Sequence, residues 1–408
     1  MDDLQTNSNL GVYNNRIDIH DPEFTRDPYP TYAELREKCP VVHSDLYGSF
    51  WMLTRYLDVR TAALDWRTYT SSVPGVTAIP IITPRTKPML PIELDPPQHS
   101  KYRALVQPVF SGERIETLRT AVREIAAELA ARLARRGGGD LVTEYAEPLS
   151  LRTLAAFAGL PVEDAPKWLS WIRSMFDVRD PAGREQASAE MGAYIHALIA
   201  ARRQSPGEDF ISLLMESSVD GQKLTVEEIY SFCTVLFGAG FETTADGLSV
   251  MLHYLAQHPA DRLSLLSQPE LIAPAVEEFL RYSSPIQIFG RNATRDLALH
   301  GAGIRSGDIV ALSFGSANQD PEVFANPERC ILDRAPNRHL AFGAGPHLCL
   351  GAPVARLEMS VTLEEFLPRI PDFCQEPGQA VQWKGRGDRR GLAALPVVIP
   401  SSRSGQTA

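Results

Sequence analysis

The pattern of apolar and polar positions predicts a mainly α-helical chain with small β-sheets near its two ends. Between residues 95 and 285, apolar positions recur at helical spacing almost throughout. Short β-like runs lie at 50–54, 309–314 and 380–383, outside that helical region. The sequence therefore predicts a helical body with minor sheets.

The pattern contains no internal repeat and no low-complexity block long enough to be a linker. We therefore expect one domain over residues 21–400. The polar segments 1–20 and 401–408 are expected to be flexible.

One helical stretch, from Val226 to Gln257, is unusually long and apolar. Thr225 and Glu228 match a capping box at its start, and Pro259 supplies a stop signal. At ~1.5 Å per residue such a helix would be long enough to run through the core.

The middle of that stretch breaks the local rules for a helix. Gly238 and Gly240 are poor helix formers, and Glu242 is a carboxylate in an apolar environment. A close helix crossing would explain the glycines but not Glu242 beside Thr243. Such a local conflict is typical of a functional site.

A second helix start is predicted at Asp95, an N-cap residue, with Pro96 at the first helical position and Gln98 in the capping-box position. His99 and Arg103 then lie four residues apart on one helix face. For an isolated pair, a solvated polar face is the simpler interpretation.

Composition narrows the function classes. The 408 residues carry a net charge of −10 without a long basic run, which argues against nucleic acid as a partner. The N-terminus has no apolar core of a signal peptide, and no run of about 18 apolar residues predicts a membrane span. The five cysteines are odd in number and widely spaced, which fits a reducing compartment. We expect a cytoplasmic protein.

Cys349 lies in a Gly-rich loop that leads into a helical pattern, in the segment FGAGPHLCLG (342–351). A thiolate is a soft metal ligand, but zinc would need further Cys or His at short spacing and an iron–sulfur cluster about four cysteines. One thiolate among small residues suits a flat macrocycle whose iron takes one protein ligand. Backbone N–H groups and the following helix dipole would then tune the iron.

The same segment resembles the haem-binding signature of the cytochromes P450, Phe-Gly-x-Gly-x-His-x-Cys-x-Gly, with every fixed position filled. AGFETT (239–244), EEFLRY (277–282) and DPPQHSKYR (95–103) resemble further motifs of that family, in its order. The resemblance runs from about Asp21 to Pro400. It implies the cytochrome P450 fold, with haem b between the long central helix and the Cys loop with its helix.

The resemblance also assigns roles to single positions. Cys349 would be the iron ligand. Cofactor contacts would come from His99, Arg103, Arg291, Phe342, Gly343, His347, Cys349 and Gly351. Glu278 and Arg281 would form a buried structural ion pair with Arg329.

Ala239, Glu242 and Thr243 resemble the family's oxygen-activation segment. Thr243 is expected to hydrogen-bond back to the carbonyl of Ala239 and open the helix locally. Glu242 is expected to relay protons from solvent. The pair implies an oxygen- and electron-dependent monooxygenase.

The expected substrate is a hydrophobic small molecule, such as a terpenoid, a polyketide or an aromatic metabolite, because few charges occur among the predicted pocket residues. Hydroxylation or epoxidation is expected; coupling, desaturation and nitration stay open. Each pocket residue could equally belong to the core. The resemblance places eight residues in the pocket: Ile82, Met89, Val235, Leu236, Ile286, Ile288, Phe289 and Leu392.

The sequence contains no flavin or ferredoxin domain, so the resemblance implies an external ferredoxin and ferredoxin reductase as electron donors. Arg114, Arg119 and Arg356 are candidate docking cations. We expect a monomer without membrane or nucleic-acid partners. A haem sensor or carrier without oxidation is the alternative from another class, and the Glu242–Thr243 pair argues against it. A zinc-binding protein is a more distant alternative.

Overall fold

The computed structural model describes residues 17–79, 87–175, 177 and 180–400. The helices are α1 (Pro22–Arg26), α2 (Tyr29–Lys38), α3 (Tyr56–Leu64), α4 (Gln98–Val106), α5 (Gly112–Arg136), α6 (Glu147–Ala158), α7 (Ala165–Met175), α8 (Pro181–Gln204), α9 (Phe210–Glu216), α10 (Val226–Ala239), α11 (Glu242–Gln257), α12 (Pro259–Ser267), α13 (Ile272–Ser283), α14 (Phe314–Ala317) and α15 (Ala352–Arg369).

The strands are short, and most lie towards the two ends of the chain. They are β1 (Val41–Ser44), β2 (Phe50–Leu53), β3 (Tyr69–Thr70), β4 (Gly138–Asp140), β5 (Ser218–Val219), β6 (Gln222–Lys223), β7 (Ile288–Ala293), β8 (Leu297–Leu299), β9 (Ala302–Ile304), β10 (Ile309–Ser313), β11 (Cys374–Gln375), β12 (Gln382–Trp383), β13 (Leu392–Ala394) and β14 (Pro396–Val398). The predicted class, mainly α with small sheets, is confirmed. The three predicted strands correspond to β2, β10 and β12, whereas β4 and the β5–β6 hairpin interrupt the region that was predicted to be helical.

The largest sheet has five strands in the order β1-β2-β10-β7-β3. Only β2 and β10 pair in parallel; the other neighbours are antiparallel. This sheet joins residues near the N-terminus to residues beyond position 288, because β10 lies between β2 and β7. It thereby places Arg291, on β7, inside the molecule.

The helical body is built around α5, α11, α13 and α15. Their buried faces share one apolar cluster, which includes Leu129 of α5, Met251 of α11, Phe279 of α13 and Phe366 of α15. The helix that follows the Cys loop is therefore anchored in the main core, and burial of such large side chains contributes about 1.5–3 kcal/mol each.

The predicted single helix over Val226–Gln257 is wrong in one respect: it is two helices, α10 and α11, separated at Gly240 and Phe241. A Cβ at Gly240 would lie 2.5 Å from the Leu236 carbonyl oxygen, so the break requires glycine there. The capping box at its start and the stop before Pro259 are confirmed.

Residues 17–20, predicted to belong to a flexible N-terminal segment, are instead packed. Ile17 and Ile19 are buried in a cluster with the large sheet. A Cβ at Gly387 would overlap the Ile19 carbonyl, so the two segments touch closely. The predicted flexible residues 1–16 and 401–408 lie outside the described residues. In the part of the chain that the structure describes, no helix combines the length and apolar character of a membrane span.

Candidate active site

The Cys loop is shaped by its glycines. Gly343 and Gly345 both have φ of +71°, and a Cβ at Gly345 would lie 2.7 Å from the Ala63 carbonyl oxygen. The Cys349 N–H donates to the Phe342 carbonyl at 3.0 Å, which closes the loop. The glycines therefore set both the backbone conformation and the close packing that place Cys349 just before α15.

The Cys349 side chain is accessible to solvent, yet it lies deep among surrounding protein groups. Burial raises the pKa of its thiol, whereas the backbone N–H groups of Gly351 and Ala352, with Arg103 and Arg356, favour the thiolate. The predicted amide donors to the sulfur are confirmed. A bound metal cation would complete the stabilisation of the thiolate.

Four potential cations meet on the other side of this loop. The His99 and His347 rings lie 4.4 Å apart between centroids, and the Arg103 guanidinium donates to the Pro346 carbonyl at 3.2 Å. His99 is 2 % exposed and Arg291 3 %. The structure thus brings together His99, Arg103, Arg291 and His347, as predicted, from α4, β7 and the Cys loop.

These groups are short of acceptors. Among the residues that the structure describes, His99 Nδ1 and His347 Nε2 have no hydrogen-bond partner, and the Arg291 guanidinium donates only to the preceding carbonyl. Burial lowers the pKa of His99 to about 4, of His347 to about 2 and of Arg291 to about 10. Buried donors without acceptors are costly unless an anion joins them. The residues present therefore fit the two carboxylates of a haem.

The predicted N-cap role of Asp95 is wrong. The first turn of α4 begins at Gln98 and, within the described residues, no side chain caps it. Asp95 instead accepts hydrogen bonds from the Thr70 hydroxyl and from the Ser71 N–H at 3.0 Å. Its carboxylate also lies 4.0 Å from His347. Because His99 is buried, the solvated-face alternative for α4 is wrong as well.

The break between α10 and α11 contains the three predicted catalytic residues. The Thr243 hydroxyl donates to the Ala239 carbonyl at 2.9 Å, which confirms the predicted hydrogen bond. Ala239 is exposed and Thr243 half-buried, whereas Glu242 is 5 % exposed. The hydroxyl and the carboxylate thus lie in different surroundings.

Glu242 belongs to a buried charge cluster that sequence reasoning missed. Its carboxylate pairs with Arg389 and lies 3.5 Å from the Lys384 ammonium. One turn further along α11, Asp246 accepts from Lys384 at 2.6 Å. The i, i+4 spacing of Glu242 and Asp246 was a usable signal. Nothing local to residues 384–389 indicated that these cations face α11.

The pKa values of Glu242 and Asp246 are shifted in opposite directions within this cluster. Burial opposes ionisation of Glu242, but Arg389 and Lys384 outweigh it and hold its pKa well below the usual range. Burial raises the pKa of Asp246, although Lys384 and Arg389 pull it down. In the described part of the chain, Asp246 Oδ2 has no hydrogen-bond partner. Glu242 is therefore ionised at neutral pH.

The predicted ion pair of Glu278 and Arg281 is present, but its third member is Arg334 rather than Arg329. Two Arg281 nitrogens donate to the Glu278 carboxylate at 2.8 Å each, and Arg334 Nε lies 3.0 Å from both of its oxygens. Arg329 contributes its carbonyl oxygen, which accepts from Arg281 at 2.8 Å, while its side chain is exposed. The backbone N–H of Arg334 donates to the Ile331 carbonyl at 2.9 Å, so Arg334 follows a turn, and its side chain reaches Glu278.

The predicted pocket residues separate into two groups by burial. Ile288 (2 % exposed) and Leu392 (0 %) are packed in core clusters. Ile82 lies outside the described residues. The half-buried members are Met89, Val235, Leu236, Ile286 and Phe289.

Comparison with known proteins identifies the family. The family model described as "Cytochrome P450" matches residues 171–261 and 261–370. The polyketide biosynthesis cytochrome P450 PksS of Bacillus subtilis is 35 % identical over 93 % of this chain and 98 % of its own length. The mycinamicin IV hydroxylase/epoxidase of Micromonospora griseorubida is 36 % identical over 90 % of this chain and 94 % of its own.

The fold agrees with the sequence match. The solved structure of PksS superposes with a TM-score of 0.86, covering 94 % of this chain and all of that chain. The predicted cytochrome P450 fold is confirmed. The chain therefore belongs to the cytochrome P450 family and is a monooxygenase of the kind that binds haem through a cysteine thiolate.

Proposed function

We propose that Cys349 is the iron ligand and that His99, Arg103, Arg291 and His347 bind the haem propionates. The support is the loop that presents the Cys349 sulfur beside amide donors, together with the four potential cations that meet there, where His99 Nδ1 and His347 Nε2 have no hydrogen-bond partner among the described residues. Phe342, Gly343 and Gly351 would lie against the ring, because they belong to the same loop. Glu278, Arg281 and Arg334 would brace this loop without touching the haem.

We propose that the enzyme hydroxylates or epoxidises a hydrophobic small molecule of the polyketide type. The observation that carries the reaction class is the break in the central helix, where Thr243 bonds to Ala239 beside Glu242. The half-buried apolar residues Val235 and Leu236 lie one turn before it. The substrate class is supported by the two relatives that are named for polyketide biosynthesis and for mycinamicin oxidation.

Haem, when bound, supplies the activation of dioxygen, and the chain supplies proton handling. The Thr243 hydroxyl donates to Ala239, so its oxygen lone pairs are directed to accept a hydrogen bond from water. Glu242 is ionised, and it therefore serves first as a proton acceptor towards solvent. Lys384 and Arg389 set that charge state.

An external ferredoxin and its reductase remain the proposed electron donors. Of the candidate docking cations, Arg356 is paired with Glu277 at 2.7 Å and Arg119 with Glu116 at 3.0 Å. These arginines therefore present less net charge to a partner than the sequence suggested. Monomeric state and cytoplasmic location stay predictions.

The test is turnover of purified, haem-loaded enzyme with ferredoxin, reductase, NADPH and ¹⁸O₂. Macrolactones, terpenoids and aromatic compounds would be compared, and we expect one ¹⁸O atom in the product of a macrolactone. Oxygen consumption that never depends on any substrate would contradict the proposal and favour a haem sensor or carrier.

Thr243→Ala tests the proton step separately, with Thr244→Ala on the same turn as the matched control. We expect Thr243→Ala to keep haem and substrate binding but to divert consumed oxygen into hydrogen peroxide, measured as the ratio of peroxide to product. An equal ratio in wild type and Thr243→Ala would remove Thr243 from the mechanism.

A further inference from the structure

A surface cleft of about 740 Å³ lies beside the C-terminal half of α11, away from the Cys loop. We propose that this cleft is a second binding site, for a small aromatic carboxylate. Its wall includes Val250 and His253 of α11, which are eight or more residues beyond Glu242. None of the residues predicted to line the substrate pocket forms part of its wall.

Arg390 supplies the positive charge of the cleft. Its guanidinium carbon lies 4.0 Å from the centroid of the Trp383 ring and 4.9 Å from that of Tyr29, and the group donates to the Arg26 carbonyl at 3.1 Å. Among the residues that the structure describes, no carboxylate forms an ion pair with Arg390. An arginine carries five N–H donors in a fork that matches a carboxylate, so most of these remain to be used.

Two further side chains of the wall, Arg36 and His253, each have one nitrogen without a hydrogen-bond partner among the described residues. Arg36 is 8 % exposed, and among the described residues its Nε has no acceptor, although Nη1 donates to Ser316. His253 Nδ1 is likewise buried and unpaired in the described structure. Burial of donors without acceptors is costly, and an anionic ligand would supply acceptors.

The rest of the wall favours a flat ring. Tyr29, Tyr282 and Trp383 contribute aromatic surface, and the Tyr29 hydroxyl donates to the Tyr282 carbonyl at 2.9 Å, which fixes its orientation. Aromatic walls with a few polar groups are typical of small-molecule sites. A neutral hydrocarbon would leave the Arg390 charge unpaired, and a compact anion would leave the aromatic rings uncovered. An aromatic carboxylate would pair with Arg390 and also cover the rings.

Two acids, Asp27 and Glu328, also belong to the wall. They set the limit on the charge of the ligand, because a second negative group on the ring would approach them. The cations Arg26, Arg36 and Arg390 outnumber them by one, so the proposal is restricted to monocarboxylates.

The experiment is calorimetric titration of the haem-loaded protein with 2-naphthoate, alongside the Soret band. We expect one site whose occupancy leaves the Soret band unchanged, since the cleft is separate from the Cys loop. Arg390→Gln should weaken 2-naphthoate binding about tenfold or more, because a hydrogen-bonded charge pair is lost. Trp383→Leu should weaken it several-fold, and Arg119→Gln, elsewhere on the surface, should leave it unchanged.

The neutral analogue 2-naphthamide, titrated into wild-type protein, keeps the test decisive if Arg390→Gln does not fold. We expect it to bind about tenfold more weakly than 2-naphthoate. Equal binding of the two compounds, unchanged binding by Arg390→Gln, a Soret shift with the same dissociation constant, or no binding at millimolar concentration would each overturn the proposal.

Discussion

Two groups of buried charges near the Cys loop differ in how completely they are satisfied. In the first, Glu278, Arg281 and Arg334 exchange hydrogen bonds among themselves and with the carbonyls of Asn318 and Pro327. In the second, made of His99, Arg103, Arg291 and His347, one ring nitrogen of each histidine has no partner among the described residues, and each arginine donates to a single backbone carbonyl. The first group is fully hydrogen-bonded within the protein, whereas the second keeps hydrogen-bonding capacity that an anion could use. Completeness of hydrogen bonding therefore distinguishes a structural charge cluster from a charge cluster that binds a ligand.

The cluster around Glu242 lies between these extremes. Its two carboxylates and two cations pair with one another, yet Asp246 Oδ2 has no hydrogen-bond partner in the described part of the chain. The hydrogen bonding of this cluster is therefore only partly complete, and the cluster lies next to the helix break that contains Thr243.

Removing Arg281 should have the largest effect. Arg281→Ala leaves the Glu278 carboxylate partly uncompensated in the core, and we expect a loss of about 3–5 kcal/mol in the free energy of unfolding. Urea denaturation of haem-free and haem-loaded protein would measure it. Arg329→Ala is the matched control, with a change below about 0.5 kcal/mol because its side chain is exposed. Equal losses of unfolding free energy in the two variants would show that the Arg329 side chain does belong to the Glu278 cluster.

Glu242→Gln should have the next largest effect, and its effect should depend on pH. The pKa of Glu242 is lowered in the folded protein, to about 2, so its pairing stabilises the fold above the unfolded value of 4.5 and is lost as pH falls towards 2. We expect Glu242→Gln to be about 2–3 kcal/mol less stable at pH 7, with the difference shrinking below pH 4.5. A pH-independent difference would show that Glu242 is not ionised in the fold.

Arg291→Met should stabilise the haem-free protein, whereas the two preceding variants should destabilise it. Removing a buried cation that forms no ion pair among the described residues should raise the free energy of unfolding of haem-free protein by about 1–2 kcal/mol. The same change should speed haem transfer to apomyoglobin about tenfold, because a propionate contact is lost. Destabilised haem-free protein with normal haem retention would mean that Arg291 is structural, like Arg281.

Arg356→Gln should have the smallest effect and gives the surface reference for the comparison. The Arg356–Glu277 pair is bidentate at 2.7 and 2.8 Å, but Arg356 is 42 % exposed. We expect a loss of about 0.5–1 kcal/mol that diminishes with added salt. If Arg356→Gln lowered the free energy of unfolding as much as Arg281→Ala does, without a dependence on salt, burial and completeness of hydrogen bonding would not explain how these clusters differ.

Features carried by adjacent residues were predictable from sequence. The capping box of α10 and the Gly-rich loop that leads into α15 depend on neighbouring residues, and both were found as predicted. The bond from Thr243 to Ala239 spans one helical turn, so spacing alone could predict it. The break at Gly240 was the exception, because its closeness to the Leu236 carbonyl depends on backbone geometry.

Features that depend on distant pairing were not predictable. Arg389 lies 147 positions from Glu242, and Lys384 lies 138 positions from Asp246. The local sequence around these cations is the same whether they face solvent or α11. The complete burial of Leu392 was not predictable for the same reason, since an apolar residue suits a core and a cavity wall equally well.

By itself, the sequence determined the helical class, the family and the loop that presents Cys349, because each depends on residue type at short spacing. Only the tertiary structure decided which arginine completes the Glu278 cluster, what surrounds Glu242 and which charges are left without partners. The physical reason is that the free energy of a buried charge depends on groups brought together by packing, and those groups come from segments far apart in the chain.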